Sequence, residues 1–136
     1  MKTFPLKIVT PDGVQFDGAA EQLTVRTTTG DVGILAGHIN YVAPLGMGEA
    51  AILTDGQKRF GACIGGMVSV TDGKVTLLPT TFEWADQIDV ERVRNSEERA
   101  QKMLERKDAS TTDILLAQAR LKRALVRKSV STRRMK

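Results

Sequence analysis

Asp-Gly pairs in the first half of the sequence constrain the fold more than any other feature. They are Asp12-Gly13, Asp17-Gly18, Asp55-Gly56 and Asp72-Gly73. Asp-Gly is typical of tight hairpin turns, because both central residues of a type I′ turn require a positive φ. Apolar runs flank the last two pairs, so residues 50–53 should pair with 60–64 and residues 67–70 with 75–78. Short strands at this spacing indicate a sandwich or a flattened barrel.

The spacing of apolar residues changes near Asp89, from the alternation of strands to the three- and four-residue steps of helices. The apolar positions of a first predicted helix are Ile88, Val93, Ala100, Met103 and Leu104. Those of a second are Ile114, Ala117, Leu121, Ala124 and Leu125. The polar segment 107–113 separates them, and we expect Asp113 or Thr112 to cap the second helix. Two such helices predict an antiparallel hairpin that packs weakly, since each apolar face is narrow and rich in alanine.

The net charge of +4 on the 136 residues is concentrated at one end of the chain. Residues 114–136 contain eight Lys or Arg and no Asp or Glu. Such a segment suits nucleic acid, an anionic membrane or an acidic protein surface, and it is also typical of a solvated helix end. It contains no aromatic residue, which argues against base stacking on single-stranded nucleic acid.

Residue types that an autonomous enzyme needs are scarce. The single cysteine, Cys63, excludes a disulfide framework, and it lies in an alternating apolar run typical of a buried strand. The single histidine, His38, excludes paired-histidine metal motifs, and neither a GxxxxGK[ST] loop nor a GxSxG turn is present. No apolar run suits a signal sequence or a membrane-spanning helix. We therefore expect a reduced, cytosolic setting, no metal and no catalytic residues.

Four segments carry motifs in a defined order. They are residues 8–18 (IVTPDGVQFDG), 29–40 (TGDVGILAGHIN), 65–78 (GGMVSVTDGKVTLL) and 82–92 (FEWADQIDVER). In order and spacing they resemble the epsilon subunits of bacterial ATP synthases, in which the last three segments read GE(L/I)GILPGHxP, GGFxEVxxxxVTVL and AExAxxIDxxR. Ala36 and Asn40 replace two prolines of that pattern, and Met67 replaces its usual phenylalanine.

The resemblance implies an α+β fold, with an N-terminal β-sandwich of about ten strands over residues 1–84 and a C-terminal antiparallel two-helix hairpin over residues 88–130. Residues 131–136 are expected to form a frayed basic tail. It also implies a non-catalytic subunit in the central rotor of a proton-translocating ATP synthase, peripheral to the cytoplasmic face of the bacterial cell membrane. The sandwich would dock on the gamma subunit and the c-subunit ring, and the mobile helices would inhibit ATP hydrolysis.

The resemblance also assigns residues to two protein interfaces. Acidic parts of the catalytic alpha and beta subunits would contact Arg120, Lys122, Arg123, Arg127 and Lys128. The gamma subunit or the c ring would contact Asp31, Gly33, Gly37 and His38. The glycines of residues 30–37 predict a tight, exposed loop here, since glycine admits positive φ. In that loop His38 is either an interface residue or a polar residue with structural hydrogen bonds.

Residues 88–93, IDVERV, match the I/L-D-x-x-R-A motif with which many family members bind regulatory ATP, except that Val93 replaces alanine. The ATP-binding residues that the resemblance implies are Glu83, Ile88, Asp89, Arg92 and Arg99. Carboxylates would accept hydrogen bonds from the nucleoside, and arginines would neutralise phosphate. Alternatively, Asp89 is the N-cap of an ordinary helix and Arg92 is solvated. No other cofactor is expected.

Two other classes of function compete with the rotor subunit. In one, the chain is a free-standing nucleotide-binding sensor whose helical hairpin closes over its ligand. In the other, it is a nucleic-acid-binding β-module with a basic tail, although it lacks the surface aromatics and the basic strand face of such modules. Copurification with a gamma subunit would favour the rotor, and recovery of the chain alone would favour the sensor.

Overall fold

The computed structural model describes residues 2–133, which form ten strands, a 3₁₀ turn and two α-helices. The strands are β1 (Phe4–Thr10), β2 (Gly13–Ala20), β3 (Gln22–Thr27), β4 (Gly30–Leu35), β5 (Tyr41–Pro44), β6 (Met47–Thr54), β7 (Gln57–Ile64), β8 (Met67–Thr71), β9 (Lys74–Leu78) and β10 (Thr81–Trp84). The 3₁₀ turn is Ala85–Gln87, and the helices are α1 (Val90–Glu105) and α2 (Thr111–Ser131). The chain divides after Trp84 into two compact units, a strand unit and a helix unit.

The strand unit is a sandwich of two five-stranded sheets. Sheet I has the order β2-β1-β9-β8-β5, and sheet II has the order β10-β7-β6-β3-β4. Neighbouring strands are antiparallel, except that β1 and β9 run parallel. The predicted α+β class, with a ten-stranded sandwich before two helices, is therefore confirmed, and the flattened barrel is excluded.

Inward-facing residues alternate along the strands, as the sequence predicts. In β1, for example, Phe4, Leu6 and Ile8 are buried while Pro5 and Lys7 are exposed. Leucine, isoleucine and valine dominate the fully buried side chains of this core. The core therefore lies between the two sheets, and the outer faces carry the residues that can contact other molecules.

One tryptophan closes an end of the core. Trp84 packs edge-on against Phe82, with ring centroids 4.9 Å apart, and its Nε1 donates a hydrogen bond to the Gln15 carbonyl at 3.3 Å. The Arg59 guanidinium carbon lies 3.7 Å from the centre of the indole ring. This cation–π contact allows the aliphatic part of the arginine to shield the ring while its charge stays in water.

The two hairpins predicted from the later Asp-Gly pairs are confirmed. Asp55 and Asp72 have φ values of 51° and 50°, and each is followed by a glycine with positive φ. Asp12-Gly13 also lies at a turn, although the positive φ there belongs to the glycine alone.

The prediction of a turn at Asp17-Gly18 is wrong. The pair lies inside β2, where Asp17 is opposite Lys7 and Gly18 is opposite Leu6. Because the preceding turn has already reversed the chain, this pair continues the antiparallel ladder with β1. A strand at the edge of a sheet tolerates the residues that would be unfavourable in its centre.

Both helices start with a side-chain cap. The N-cap of α1 is Asp89, whose Oδ1 accepts a hydrogen bond from the Arg92 amide at 3.1 Å. The N-cap of α2 is Ser110, so the predicted caps at Asp113 and Thr112 are wrong. Asp113 instead completes a capping box, in which the Ser110 hydroxyl accepts from the Asp113 amide and the Asp113 carboxylate accepts from the Ser110 amide. This reciprocal arrangement satisfies two backbone donors at once.

The helices pack through small residues, as predicted. Ala100 of α1 and Ala117 and Ala124 of α2 are buried. Leu125 is nevertheless 46% exposed, so its assignment to the apolar face is wrong. It follows Ala124, and each step along a helix turns the side chain by about 100°, away from the partner helix. Ile88, also assigned to the first helix, is buried but precedes the helix.

The predicted tail boundary at residue 131 falls in the hydrogen-bonded end of α2. The amides of Thr132 and Arg133 donate to the carbonyls of Ser129 and Val130, and Val130 is buried. Residues 134–136 of that predicted tail lie outside the described residues. Within residues 2–133, neither helix combines the length and hydrophobicity that crossing a membrane requires.

Candidate functional site

A row of exposed apolar side chains crosses the outer face of sheet I. We call Val14, Val9, Leu78, Met67 and Pro44 the apolar row; they come from β2, β1, β9, β8 and β5 in that order. Cross-strand pairing places Val9 opposite Val14, Met67 opposite Leu78, and Pro44 opposite Met67. Val9 and Leu78 each come one residue after the paired, inward-facing Ile8 and Leu77, so they adjoin on the outer face.

The apolar row is exposed although its side chains are large. Val14 is 57% exposed, Leu78 47% and Met67 40%. The neighbouring row of the same face is polar along four strands, where its members are Asp17, Lys7, Thr76 and Ser69. It ends in Val42 of β5, which lies opposite Ser69 and is 64% exposed. A contiguous apolar strip with a polar border is typical of a protein–protein interface.

An ion pair lies at the same end of the sandwich as the apolar row. Arg26 of β3 is opposite Asp31 of β4, and its Nε and Nη2 donate to the two carboxylate oxygens at 3.0 and 3.4 Å. The Thr28 amide, in the β3–β4 turn, donates to the Pro44 carbonyl at 3.1 Å. The turn that presents Asp31 is thus joined directly to the strand that ends the apolar row.

The predicted loop at residues 30–37 is wrong, because residues 30–35 form β4 at the edge of sheet II. Gly33 has no positive φ and pairs with Thr24, as any strand residue could. Gly37, with a φ of 83°, is the glycine that the β4–β5 connection requires. Asp31 and His38 are consequently separated by most of the length of β4.

His38 is held by contacts within the β4–β5 connection. Its Nδ1 donates to the Ile39 carbonyl at 2.8 Å, and its ring packs edge-on against Tyr41 with centroids 5.8 Å apart. The carbonyl can only accept, so this bond requires the proton on Nδ1. Nε2 of His38 is therefore the ring nitrogen that can form a hydrogen bond with another molecule. Beside it, Ile39 is 78% exposed.

Two of the predicted ATP-binding residues have a local structural role in starting α1. Asp89 is its N-cap, as the alternative interpretation held. Ile88 and Val93 are both buried and occupy the positions of a hydrophobic staple, immediately before the cap and in the second turn. Val93, which stands where the family motif has alanine, therefore has a packing role as the staple partner of Ile88.

The remaining predicted ATP-binding residues fall in different units. Arg92 and Arg99 are exposed and two turns apart on one side of α1, so both can face the same anion. Glu83 belongs to the strand unit, in β10, where it lies opposite Ala62 of β7.

The basic residues of α2 do not share one face. Arg120, Arg123 and Arg127 recur at steps of three and four residues and form one stripe. Lys128 points to α1 instead, where its Nζ lies 3.3 Å from a carboxylate oxygen of Glu97. Lys122 is exposed on another side of the helix.

The single cysteine is a core residue. Cys63 of β7 is buried, and burial raises the pKa of its thiol from 9.0 to about 12. A thiol that stays protonated at neutral pH is a poor nucleophile. No group of three or more His, Cys, Asp or Glu side chains that could hold a metal is found in residues 2–133.

Sequence reasoning missed the apolar row. Its members are separated by up to 69 positions in the chain, between Val9 and Leu78, and only strand pairing brings them together. The available signal was an apolar residue at an outward position of several consecutive strands, where alternation predicts a polar one.

A two-sheet sandwich with an exposed apolar row, followed by one helix with balanced charges and one basic helix, defines a class of two-module proteins. The profile of the ATP synthase delta/epsilon chain β-sandwich domain matches residues 3–85. The profile of the long α-helix domain of the same chains matches residues 86–131. The chain belongs to the ATP synthase delta/epsilon chain family.

Curated relatives are similar over nearly the whole chain. The ATP synthase epsilon chain of Ruminococcus albus is 44% identical over 135 residues, covering 98% of this chain and 100% of that protein. The ATP synthase epsilon chain of Bacillus licheniformis is 42% identical over 131 residues, covering 96% and 99%.

Solved structures share the fold at low sequence identity. A chain of the Euglena gracilis mitochondrial ATP synthase superposes with a TM-score of 0.82 at 22% identity, covering 93% of this chain and 80% of that one. A chain from the central stalk and c ring of the Tetrahymena thermophila enzyme gives 0.61 at 15% identity, covering 96% and 97%.

Proposed function

We propose that this chain is the epsilon subunit of a bacterial proton-translocating ATP synthase and that it docks on the central rotor through its sandwich. In this role it is non-catalytic and peripheral to the cytoplasmic face of the membrane. The apolar row is the observation that carries the proposal, because a free sensor would have no use for a large apolar strip on its outer face. The full-length similarity to proteins named ATP synthase epsilon chain supports it.

The partner that we assign to the apolar row is the gamma subunit. Burying the exposed parts of Val14, Met67 and Leu78 would stabilise a complex by about 1 kcal/mol for each side chain. The polar residues beside the row would then form the rim that excludes water from the contact. Asp31 and His38, which the length of β4 separates, would contribute contacts to gamma and to the c ring respectively.

The function that we propose for the helix unit is restraint of ATP hydrolysis. Its helices pack through alanines, which bury little apolar area, so the closed pair is only modestly stable. The stripe of Arg120, Arg123 and Arg127 would bind acidic surfaces of the catalytic alpha and beta subunits when the pair opens. Lys128 would exchange its intramolecular partner, Glu97, for such a surface.

We further propose regulatory ATP binding at the start of α1. Arg92 and Arg99 suit a polyphosphate, since both guanidinium groups are exposed on one side of the helix. Asp89 and Ile88 would fix the backbone from which Arg92 projects. ATP should raise the melting temperature of the full chain and of an Arg94→Ala control, but not that of Arg99→Ala. An equal shift in all three proteins would contradict this site.

Binding to purified gamma subunit tests the docking proposal most directly. Met67→Glu and Leu78→Glu place a carboxylate in the centre of the apolar row, and we expect each to weaken binding by at least tenfold. Leu35→Glu is the matched control, because Leu35 is 56% exposed but lies outside the apolar row, at the end of β4 that is farther from Asp31. This control should bind gamma as the unmodified chain does.

Two results would contradict the proposal. In one, the unmodified chain does not bind gamma at all but binds ATP, which would favour the free-standing nucleotide sensor. In the other, Met67→Glu and Leu78→Glu bind gamma as tightly as Leu35→Glu does. Thermal melting of each variant would show that the compared proteins are folded.

A further inference from the structure

Arg26 and Asp31 are arranged as a two-point fork rather than as a loose surface ion pair. They are direct cross-strand partners in the β3–β4 hairpin. Nε of Arg26 lies 3.0 Å from Oδ1 of Asp31, and Nη2 lies 3.4 Å from Oδ2. Two parallel hydrogen bonds fix the plane of the carboxylate as well as its distance.

Two glycines leave space for the arginine side chain. A Cβ added to Gly48 would lie 2.7 Å from Arg26 Cβ, and one added to Gly46 would lie 3.4 Å from Arg26 Cγ. The Gly46 amide also donates to the Arg26 carbonyl at 3.0 Å. The aliphatic part of the Arg26 side chain is therefore packed against the start of β6, which restricts its motion.

The fixed geometry of Arg26 and Asp31 adds little to the stability of the isolated chain. The side chains of Arg26 and Asp31 are 52% and 57% exposed, and ion pairs with that exposure contribute little to stability because water and salt screen them. The pair does, however, adjoin the apolar row through the bond from the Thr28 amide to the Pro44 carbonyl. A contact that covered the row would also exclude water from the pair and strengthen it.

We infer that Arg26 is a positioning residue for Asp31, and that the pair forms a preorganised polar edge of the surface that binds the gamma subunit. The inference depends on the proposed function in one respect, the role of Asp31 in docking. Arg26 holds the carboxylate in one orientation before the encounter, so that binding does not have to order it. The outer lone pairs of Asp31 then accept hydrogen bonds from a donor on gamma.

A double-mutant cycle on binding to gamma tests the inference. Asp31→Asn and Arg26→Gln should each weaken binding by about fivefold, and the double variant should bind no more weakly than either single one. Arg26→Lys should recover less than half of the loss in binding free energy, because lysine retains the charge but cannot form the fork. The melting temperature of all four variants should stay near that of the unmodified chain.

The control is a second exposed pair of an arginine with a carboxylate. Arg94 and Glu91 pair at 3.4 Å on α1, in the helix unit, with 60% and 73% exposure. Arg94→Gln should leave gamma binding unchanged.

Two outcomes separate the inference from the proposed function. If Asp31→Asn weakens binding but Arg26→Gln does not, or if the two losses add, Asp31 docks without help and the positioning role of Arg26 is overturned. If Asp31→Asn has no effect while Met67→Glu still abolishes binding, docking through the apolar row stands but the polar edge does not exist. Failure of Met67→Glu as well would contradict the proposed function itself.

Discussion

Individual glycines determine how closely the strands of the sandwich can pack. Gly61 of β7 lies directly beneath the ring of Phe82, and an added Cβ would overlap three of the ring carbons. Gly33 of β4 has no atom near its missing Cβ and no unusual φ. Glycine is therefore required at one position and merely permitted at the other, although the sequence alone does not distinguish them.

Gly61→Ala should lower the free energy of unfolding by about 1–3 kcal/mol, the usual cost of overpacking a core. The added methyl group must displace Phe82, which also supports Trp84. Denaturant unfolding would measure the change, with Gly33→Ala as the matched control that should unfold as the unmodified chain does. Equal stability of the two variants would show that Phe82 can move aside at no cost.

The Cys63 thiol predicts a dependence of stability on alkaline pH. Its pKa in the folded chain is about 12, raised by burial above the ordinary 9.0 that applies when the chain is unfolded. The stabilisation that comes from burying the protonated Cys63 thiol is therefore complete below pH 9, and it is lost as the pH rises from 9 towards 12. In this range the free energy of unfolding should fall, relative to that of Cys63→Ala, by about 1 kcal/mol per pH unit. Parallel pH profiles for the two proteins would contradict this account.

At the scale of elements, the helix pair is joined by one partly buried ion pair in addition to its alanine contacts. The Glu97 side chain is only 15% exposed, whereas that of Lys128 is 60% exposed. Removing the lysine would leave a carboxylate that is largely cut off from water and has lost its positive partner. The pair should therefore contribute more to closing the helices than the fully exposed pairs of the chain do.

Lys128→Gln should destabilise the closed helix pair by about 1 kcal/mol, because Glu97 loses its partner at a poorly hydrated position. Hydrogen exchange of amides in the middle of α2 should then be roughly fivefold faster. Lys122→Gln removes the same charge from an exposed position of the same helix and should leave exchange unchanged. If both variants exchange alike, net charge and not this ion pair governs opening.

Local patterns predicted most elements, and the misses have local causes as well. Alternation and flanked Asp-Gly turns located the strands, since both depend on neighbours in the sequence. The cap of α2 was missed because Ser110 and Asp113 are both good caps, and only the reciprocal capping box decides which one starts the helix. Asp17-Gly18 was misread because an edge strand accepts residues that also suit turns.

At the scale of the whole molecule, the two units differ in what sequence patterns can show about their sites. The basic stripe of α2 lies within one helix, so its positions were visible from the sequence. The apolar row joins five strands in the order β2-β1-β9-β8-β5, and the parallel pairing of β1 with β9 brings distant segments together. No local pattern encodes that register, which is why the strongest candidate surface emerged only from the fold.

The division of the chain after Trp84 matches the division of labour that we propose. The strand unit would provide docking, and the helix unit would provide restraint of hydrolysis. A chain that ends at Gln87 keeps every strand and loses both helices. It should therefore bind gamma and yet fail to inhibit.

ATP hydrolysis by a purified alpha–beta–gamma subcomplex tests this account most directly. The rate would be compared without the chain, with the full chain, with the chain ending at Gln87, and with full-length Met67→Glu. We predict that the full chain inhibits, that the truncated chain binds without inhibiting, and that Met67→Glu inhibits only at much higher concentration. Equal rates in all four conditions, with no binding of the full chain to gamma, would contradict the assignment to the rotor.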